Sequence, residues 1–138
     1  MALTRRDTLL LGSSALAASM LGLPAFAATE DPVAAFTGGA ETTADGITLT
    51  APEIAENGNT VPIAVDAPGA TAITVFAMGN PLPGVVTFNF GPLAASQAAS
   101  TRIRLARTQD VVAVAKMADG SFRQTSATVK VTIGGCGG

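Results

Sequence analysis

Val111-Val112-Ala113-Val114-Ala115-Lys116-Met117, followed by Ala118-Asp119-Gly120, is the stretch on which the fold turns. It is apolar except for one outward lysine, rich in β-branched side chains and too short for a buried helix. It therefore predicts a strand covered on both faces. Asp119-Gly120 then predicts a two-residue hairpin turn that sends the chain straight back. Outward from this hairpin the same period of two recurs. Val129, Val131 and Ile133 alternate with Thr128, Lys130 and Thr132 on the C-terminal side. On the other side Ile103 and Leu105 alternate with Arg102 and Arg104, and Val86, Phe88 and Phe90 with Val85, Thr87 and Asn89. Thr71–Met78 is apolar on both alternations and reads as a central strand. Val61, Ile63 and Val65, then Ile47 and Leu49, complete the set.

Asn57-Gly58, Pro68-Gly69, Asn80-Pro81 and Pro83-Gly84 punctuate these runs as turns. About seven short strands at such spacing predict an all-β chain, an immunoglobulin-like antiparallel β sandwich. An up-and-down barrel is the alternative, because alternation does not set strand order. One sandwich buries a single face of each sheet internally. The second apolar face of Thr71–Met78 and Val111–Met117 therefore predicts a partner β protein laid over that sheet.

The chain divides into four parts. Residues 1–27 read as a cleaved export signal: Arg5-Arg6, an apolar stretch from Thr8 to Leu23, and the small-x-small pattern Ala25-Phe26-Ala27. The arginine pair resembles the twin-arginine motif, with Thr8 where Phe or Leu is more usual; an ordinary secretory signal is the alternative. The expected destination is the periplasm, with no membrane anchor. Residues 28–45 form an N-terminal arm with a short helix, Asp31 serving as N-cap and Pro32 as first helical residue. The sandwich spans 46–133, and 134–138 is a separate tail.

Composition removes many chemistries. A chain of 138 residues without its leader holds one domain. It has no histidine, tryptophan or tyrosine and one cysteine. Histidine-dependent nucleophilic systems and a Cys-x-x-Cys redox pair cannot be built, and metal sites lose their commonest ligand. No cofactor, no metal site and no catalytic residue of its own are expected. The leader takes with it Arg5, Arg6 and Asp7 from 8 basic and 10 acidic residues, which leaves an acidic protein. Without a basic stripe, nucleic-acid binding is disfavoured.

The only cysteine, Cys136, stands in Gly134-Gly135-Cys136-Gly137-Gly138. Glycine flanks give the backbone its widest range and remove every neighbouring Cβ, so the thiol reads as a handle on a flexible swinging arm. Five extended residues span roughly 17 Å, enough to enter a partner's cleft. A thiolate forms covalent sulfur adducts, and with no basic side chain in the arm its activation falls to partner enzymes. One alternative is a periplasmic interaction module that uses Cys136 only for an interchain disulfide. Another is a terminal Gly-Gly thiocarboxylate carrier, which needs cytoplasmic ATP and conflicts with export. Arg102 and Arg104 form an exposed strand face or a docking patch, Glu53 and Glu56 a solvated surface, and Asn57-Gly58-Asn59 a turn.

The tail Val129–Gly138 resembles the hallmark end of the SoxY family, the sulfur-carrier subunits of the bacterial Sox thiosulfate-oxidising system. Pro52–Gly58, Val61-Pro62-Ile63, Asn80-Pro81-Leu82-Pro83 and Thr101–Ala106 are similar as well. The resemblance implies that Cys136 covalently holds the sulfur substrate. It implies that a c-type cytochrome joins thiosulfate to it and that a hydrolase releases sulfate. A molybdenum sulfane dehydrogenase, or another sulfur fate, then follows. It also implies a stable hetero-oligomer with a SoxZ-like subunit.

Overall fold

Asp31-Pro32 starts a helix, as its capping chemistry predicts. The computed structural model describes residues 31–134, and α1 spans Pro32–Thr37. The Asp31 carboxylate accepts the Val33 amide at 3.0 Å, and Gly38 ends the helix in the left-handed conformation at φ 66°.

The strands follow in chain order: β1 Thr42–Thr43, β2 Thr48–Thr50, β3 Ile54–Ala55, β4 Val61–Asp66, β5 Ala70–Ala77, β6 Gly84–Asn89, β7 Ala98–Ile103, β8 Gln109–Met117 and β9 Phe122–Val131. They form two sheets. One runs β1-β9-β8-β5-β6, with β3 also on β9, and the other runs β2-β4-β7. Two separate sheets exclude the barrel. The doubly apolar runs β5 and β8 are interior strands of the larger sheet, each hydrogen-bonded on both sides.

The core lies between the sheets. Val61, Ile63, Val65, Ile103 and Leu105 come from the smaller layer, and Ile73, Val75, Val111, Ala113 and Val129 from the larger. The alternation read from the sequence is visible in β4, where Val61, Ile63 and Val65 are buried and Pro62 and Asp66 are exposed. Each strand sends alternate residues inward, so this register fixes which polar groups reach the surface.

Four expectations need correction. The sandwich is not wholly antiparallel, because β1 and β3 pair parallel with the two ends of β9. β1 arrives from α1 and β3 by a short crossing from β2 in the other layer, so no hairpin constrains the direction of either. The Asp119-Gly120 turn is a three-residue loop. Gly120 at φ 86° closes it, and the Met117 amide bonds the Ser121 carbonyl at 2.8 Å. The Ser121 hydroxyl and amide both donate to the Asp119 carboxylate and hold its pKa below the ordinary value. The strand expected at Arg102–Leu105 is displaced: β7 occupies Ala98–Ile103, and Leu105 is buried just beyond it.

The fourth concerns the outer face of the larger sheet. The chain covers its own apolar residues there. Val33 and Phe36 of α1 pack on Phe76, Val112, Val114 and Phe122. Phe36 meets the Phe76 and Phe122 rings edge-on at centroid distances of 6.1 and 5.9 Å. Beside this cluster the Thr74 and Thr87 hydroxyls bond each other at 2.9 Å. These positions therefore leave no uncovered apolar face that would require a partner, contrary to expectation. The six-residue helix, too short to be stable alone, is held by this contact.

Candidate functional site

Cys136, Gly135, Gly137 and Gly138 lie outside the described residues, as do Arg5 and Arg6. The described part of the candidate site is the root of the tail: Gly134 and what holds it. The last strand was expected to end at Ile133. β9 ends at Val131, yet backbone pairing continues. Thr132 donates its amide to Ala55 at 3.1 Å and its hydroxyl to Glu56 at 2.9 Å. The Ile133 carbonyl accepts the Gly58 amide at 2.7 Å, and the Gly58 carbonyl accepts the Leu105 amide at 2.7 Å. Gly58 thus ties the end of β9 to the β7–β8 loop.

Gly134 lies against that same loop. A Cβ placed on it would run into the Ala106 carbonyl oxygen, which is backbone and cannot swing aside. Gly134 is therefore a close-approach glycine, set apart from any slenderness of the residues beyond it. The Ala106 loop is in turn fixed by two buried amide side chains, Asn80 and Gln109. The Asn80 side-chain oxygen accepts the Ala106 amide and the Gln109 Nε2, both at 2.9 Å, while its nitrogen donates to the Arg104 carbonyl at 2.8 Å. Gln109 also donates to the Arg107 carbonyl at 2.9 Å and accepts the Gly79 amide at 2.8 Å. Four of the side-chain hydrogen-bonding positions of this buried pair are thereby matched to loop backbone, as burial requires.

Three loops and the end of β9 consequently meet at one end of the sandwich. In the sequence Asn57-Gly58 and Asn80-Pro81 read as turns, and Gln109 has no assigned role. The available signal is a glutamine opening the strand just ahead of its apolar run Val111–Ala115. Next to this end, Asn80, Leu82, Gly84, Val85, Arg102, Ile103 and Arg104 line a cleft of about 290 Å³. Arg102 and Arg104 are exposed; Arg102 reaches only the Thr60 hydroxyl, at 3.5 Å. The ion pair found among the described residues is elsewhere, Arg123 with Asp45 at 3.6 Å. No three His, Cys, Asp or Glu residues among those described gather as a metal site. No helix among them is long and apolar enough to cross a membrane.

A two-sheet β protein whose candidate site is the anchored root of a cysteine-bearing tail is the class these features define. The family model described as "Sulfur oxidation protein SoxY" matches residues 33–136, and the chain belongs to this family. It is similar to the sulfur carrier protein SoxY from Chlorobium limicola f thiosulfatophilum, at 37% identity, TM-score 0.63, over 75% of this chain and 94% of that one. It is also similar to a superoxide reductase (neelaredoxin) from Ignicoccus hospitalis, at 15% identity, TM-score 0.55, over 62% and 79% of the two chains. At that identity the likeness concerns the fold alone. A search of curated proteins finds no match.

Proposed function

We propose that this protein is a periplasmic sulfur carrier whose Cys136 holds thiosulfate-derived sulfur and presents it to successive enzymes. The observation that carries the reading is the family match, which runs through Cys136 itself. Its support is the 37% identity to the Chlorobium sulfur carrier protein.

The chemistry is supplied by partners. Cys136 Sγ bonds the outer sulfur of thiosulfate, and two electrons pass to a c-type cytochrome. A hydrolase then places water's oxygen on the sulfonate, breaks the adjacent S–S bond and releases sulfate, leaving a persulfide on Cys136. A molybdenum sulfane dehydrogenase is a candidate for the next step. The carrier's own part is to hold the bond and present it, with Gly135, Gly137 and Gly138 as the arm and Gly134 as its packed root.

In this reading the body is an immunoglobulin-like sandwich of seven principal strands, exported through the Arg5-Arg6 signal and paired with a SoxZ-like subunit. With the face under α1 already covered, that subunit must use another surface.

Intact-protein mass spectrometry after incubation with thiosulfate and the conjugating cytochrome tests the proposal. A single thiosulfonate adduct mapping to Cys136 is expected, and sulfane product after the hydrolase. Only Cys136 disulfide dimers, with no sulfur adduct, would favour the interaction-module alternative.

A further inference from the structure

The length of the tail decides how close a partner enzyme must come. The expected reach of roughly 17 Å counts the whole tail, but Gly134 is packed on Ala106 and the substrate-bearing residue is only two positions further. Two fully extended residues place the Cys136 Cα at most about 7 Å from that of Gly134. The cysteine side chain adds one short Cβ–Sγ length. An enzyme whose reacting atoms lie at the bottom of a cleft must therefore bring the cleft's rim onto the sandwich around Gly134.

The surface at that place has the character of a contact face. Ile133, beside Gly134, is 68% exposed, and Leu82, on the cleft wall next to Asn80, is 81% exposed. Large apolar side chains so exposed are common singly, but these two flank the same tethered end. Arg102, Arg104 and Arg107 belong to one short segment beside them and form no ion pair with any described carboxylate. The chain as a whole carries a formal charge of −2, so this end is locally basic on an acidic protein. Glu53 and Glu56 bound it on the β3 side, and Asp110, whose carboxylate accepts the Thr128 hydroxyl at 2.6 Å, on the β8 side.

We infer that Leu82, Ile133 and Arg102, Arg104 and Arg107 form the face that seats on the active-site rim of each enzyme acting on the arm, and that this rim is acidic with an apolar rest for Leu82. The arginines steer encounter through charge complementarity, and Leu82 and Ile133 supply the desolvated contact. The inference rests on the carrier reading, since it takes Cys136 as the group the enzymes seek.

The test uses the full chain co-purified with its SoxZ-like subunit, with Arg104→Glu/Arg107→Glu, Leu82→Ala, and Lys116→Glu at the far end of β8 as control. Rates of the conjugating cytochrome and of the hydrolase are measured at low and high salt. For the arginine pair, KM should rise about tenfold or more for both enzymes with kcat within about twofold, and the salt dependence should flatten. Leu82→Ala should raise KM without changing that salt dependence, and Lys116→Glu should do nothing. An unchanged KM, or a loss confined to kcat, would overturn the inference; the latter would place the arginines on the anionic adduct. Arg104→Gln/Arg107→Gln replaces the reversal if that variant melts early. Direct binding of both enzymes to Cys136→Ser chains, with and without the arginine reversal, separates the two readings. Docking stands or falls there by the loss of affinity, while the adduct on wild-type Cys136 decides the carrier.

Discussion

The carbonyl of Ala106 occupies the space a side chain on Gly134 would need, so the last described residue of the chain is set by a loop more than twenty residues earlier. The contact turns a sequence feature that looks like the start of a flexible arm into part of the folded body. Gly134→Ala must shift either the β7–β8 loop or the end of β9. Because the loop is held by Asn80, Gln109 and Gly58, the expected cost is about 1–3 kcal/mol, measured as a lowered urea midpoint at unchanged m. Unchanged stability would show that the tail can leave Ala106 freely.

The Asn80–Gln109 pair should behave as one unit. Asn80→Ala strands the Ala106 amide, the Arg104 carbonyl and one Gln109 donor in a buried place. A loss of about 2–4 kcal/mol is expected, from two or more unmet groups. Gln109→Ala removes the acceptor of the Gly79 amide, and the double variant should lose less than the sum of the two. Strict additivity in the double-mutant cycle would mean that the two amides act separately.

α1 should matter more than its length suggests. Phe36→Ala removes the ring that meets both Phe76 and Phe122, and about 1–3 kcal/mol should go with it. Val112 and Phe76 would then be less covered, and dye binding to exposed apolar surface should increase. If Phe36→Ala neither melts earlier nor binds more dye, the helix is not the cover for this sheet.

These positions show what the sequence makes legible. Alternation in Val61–Asp66 and the doubly apolar runs at β5 and β8 follow from local periodicity, and they predicted the two-sheet architecture and its central strands. The Asp31 cap and the Pro32 helix start were equally local. Contacts between distant segments were hidden. Nothing near Phe36 says that it meets Phe76 and Phe122, so the doubly apolar strands suggested a partner where the chain supplies its own cover. The parallel pairs made by β1 and β3 rest on two residues each, too few to carry a period. At the candidate site the cysteine and its glycines stood out in the sequence. The packing of Gly134 did not, because a glycine needed for freedom and a glycine needed for close approach are the same letter.

Cys136→Ser separates the handle from its root. The hydroxyl is nearly the size of the thiol but does not form the sulfur–sulfur bond on which the proposed carriage depends. Cys136→Ser should therefore abolish thiosulfate-dependent turnover and adduct formation while leaving the urea midpoint within about 0.5 kcal/mol of wild type. Gly134→Ala should give the opposite pattern: a lowered midpoint with the adduct still formed on Cys136, because the thiol itself is untouched. Measuring both quantities on both variants gives four readings. A Cys136→Ser chain that still turns over thiosulfate would remove Cys136 as the attachment point. A Gly134→Ala chain of full stability would return Gly134 to the arm and restore the longer reach.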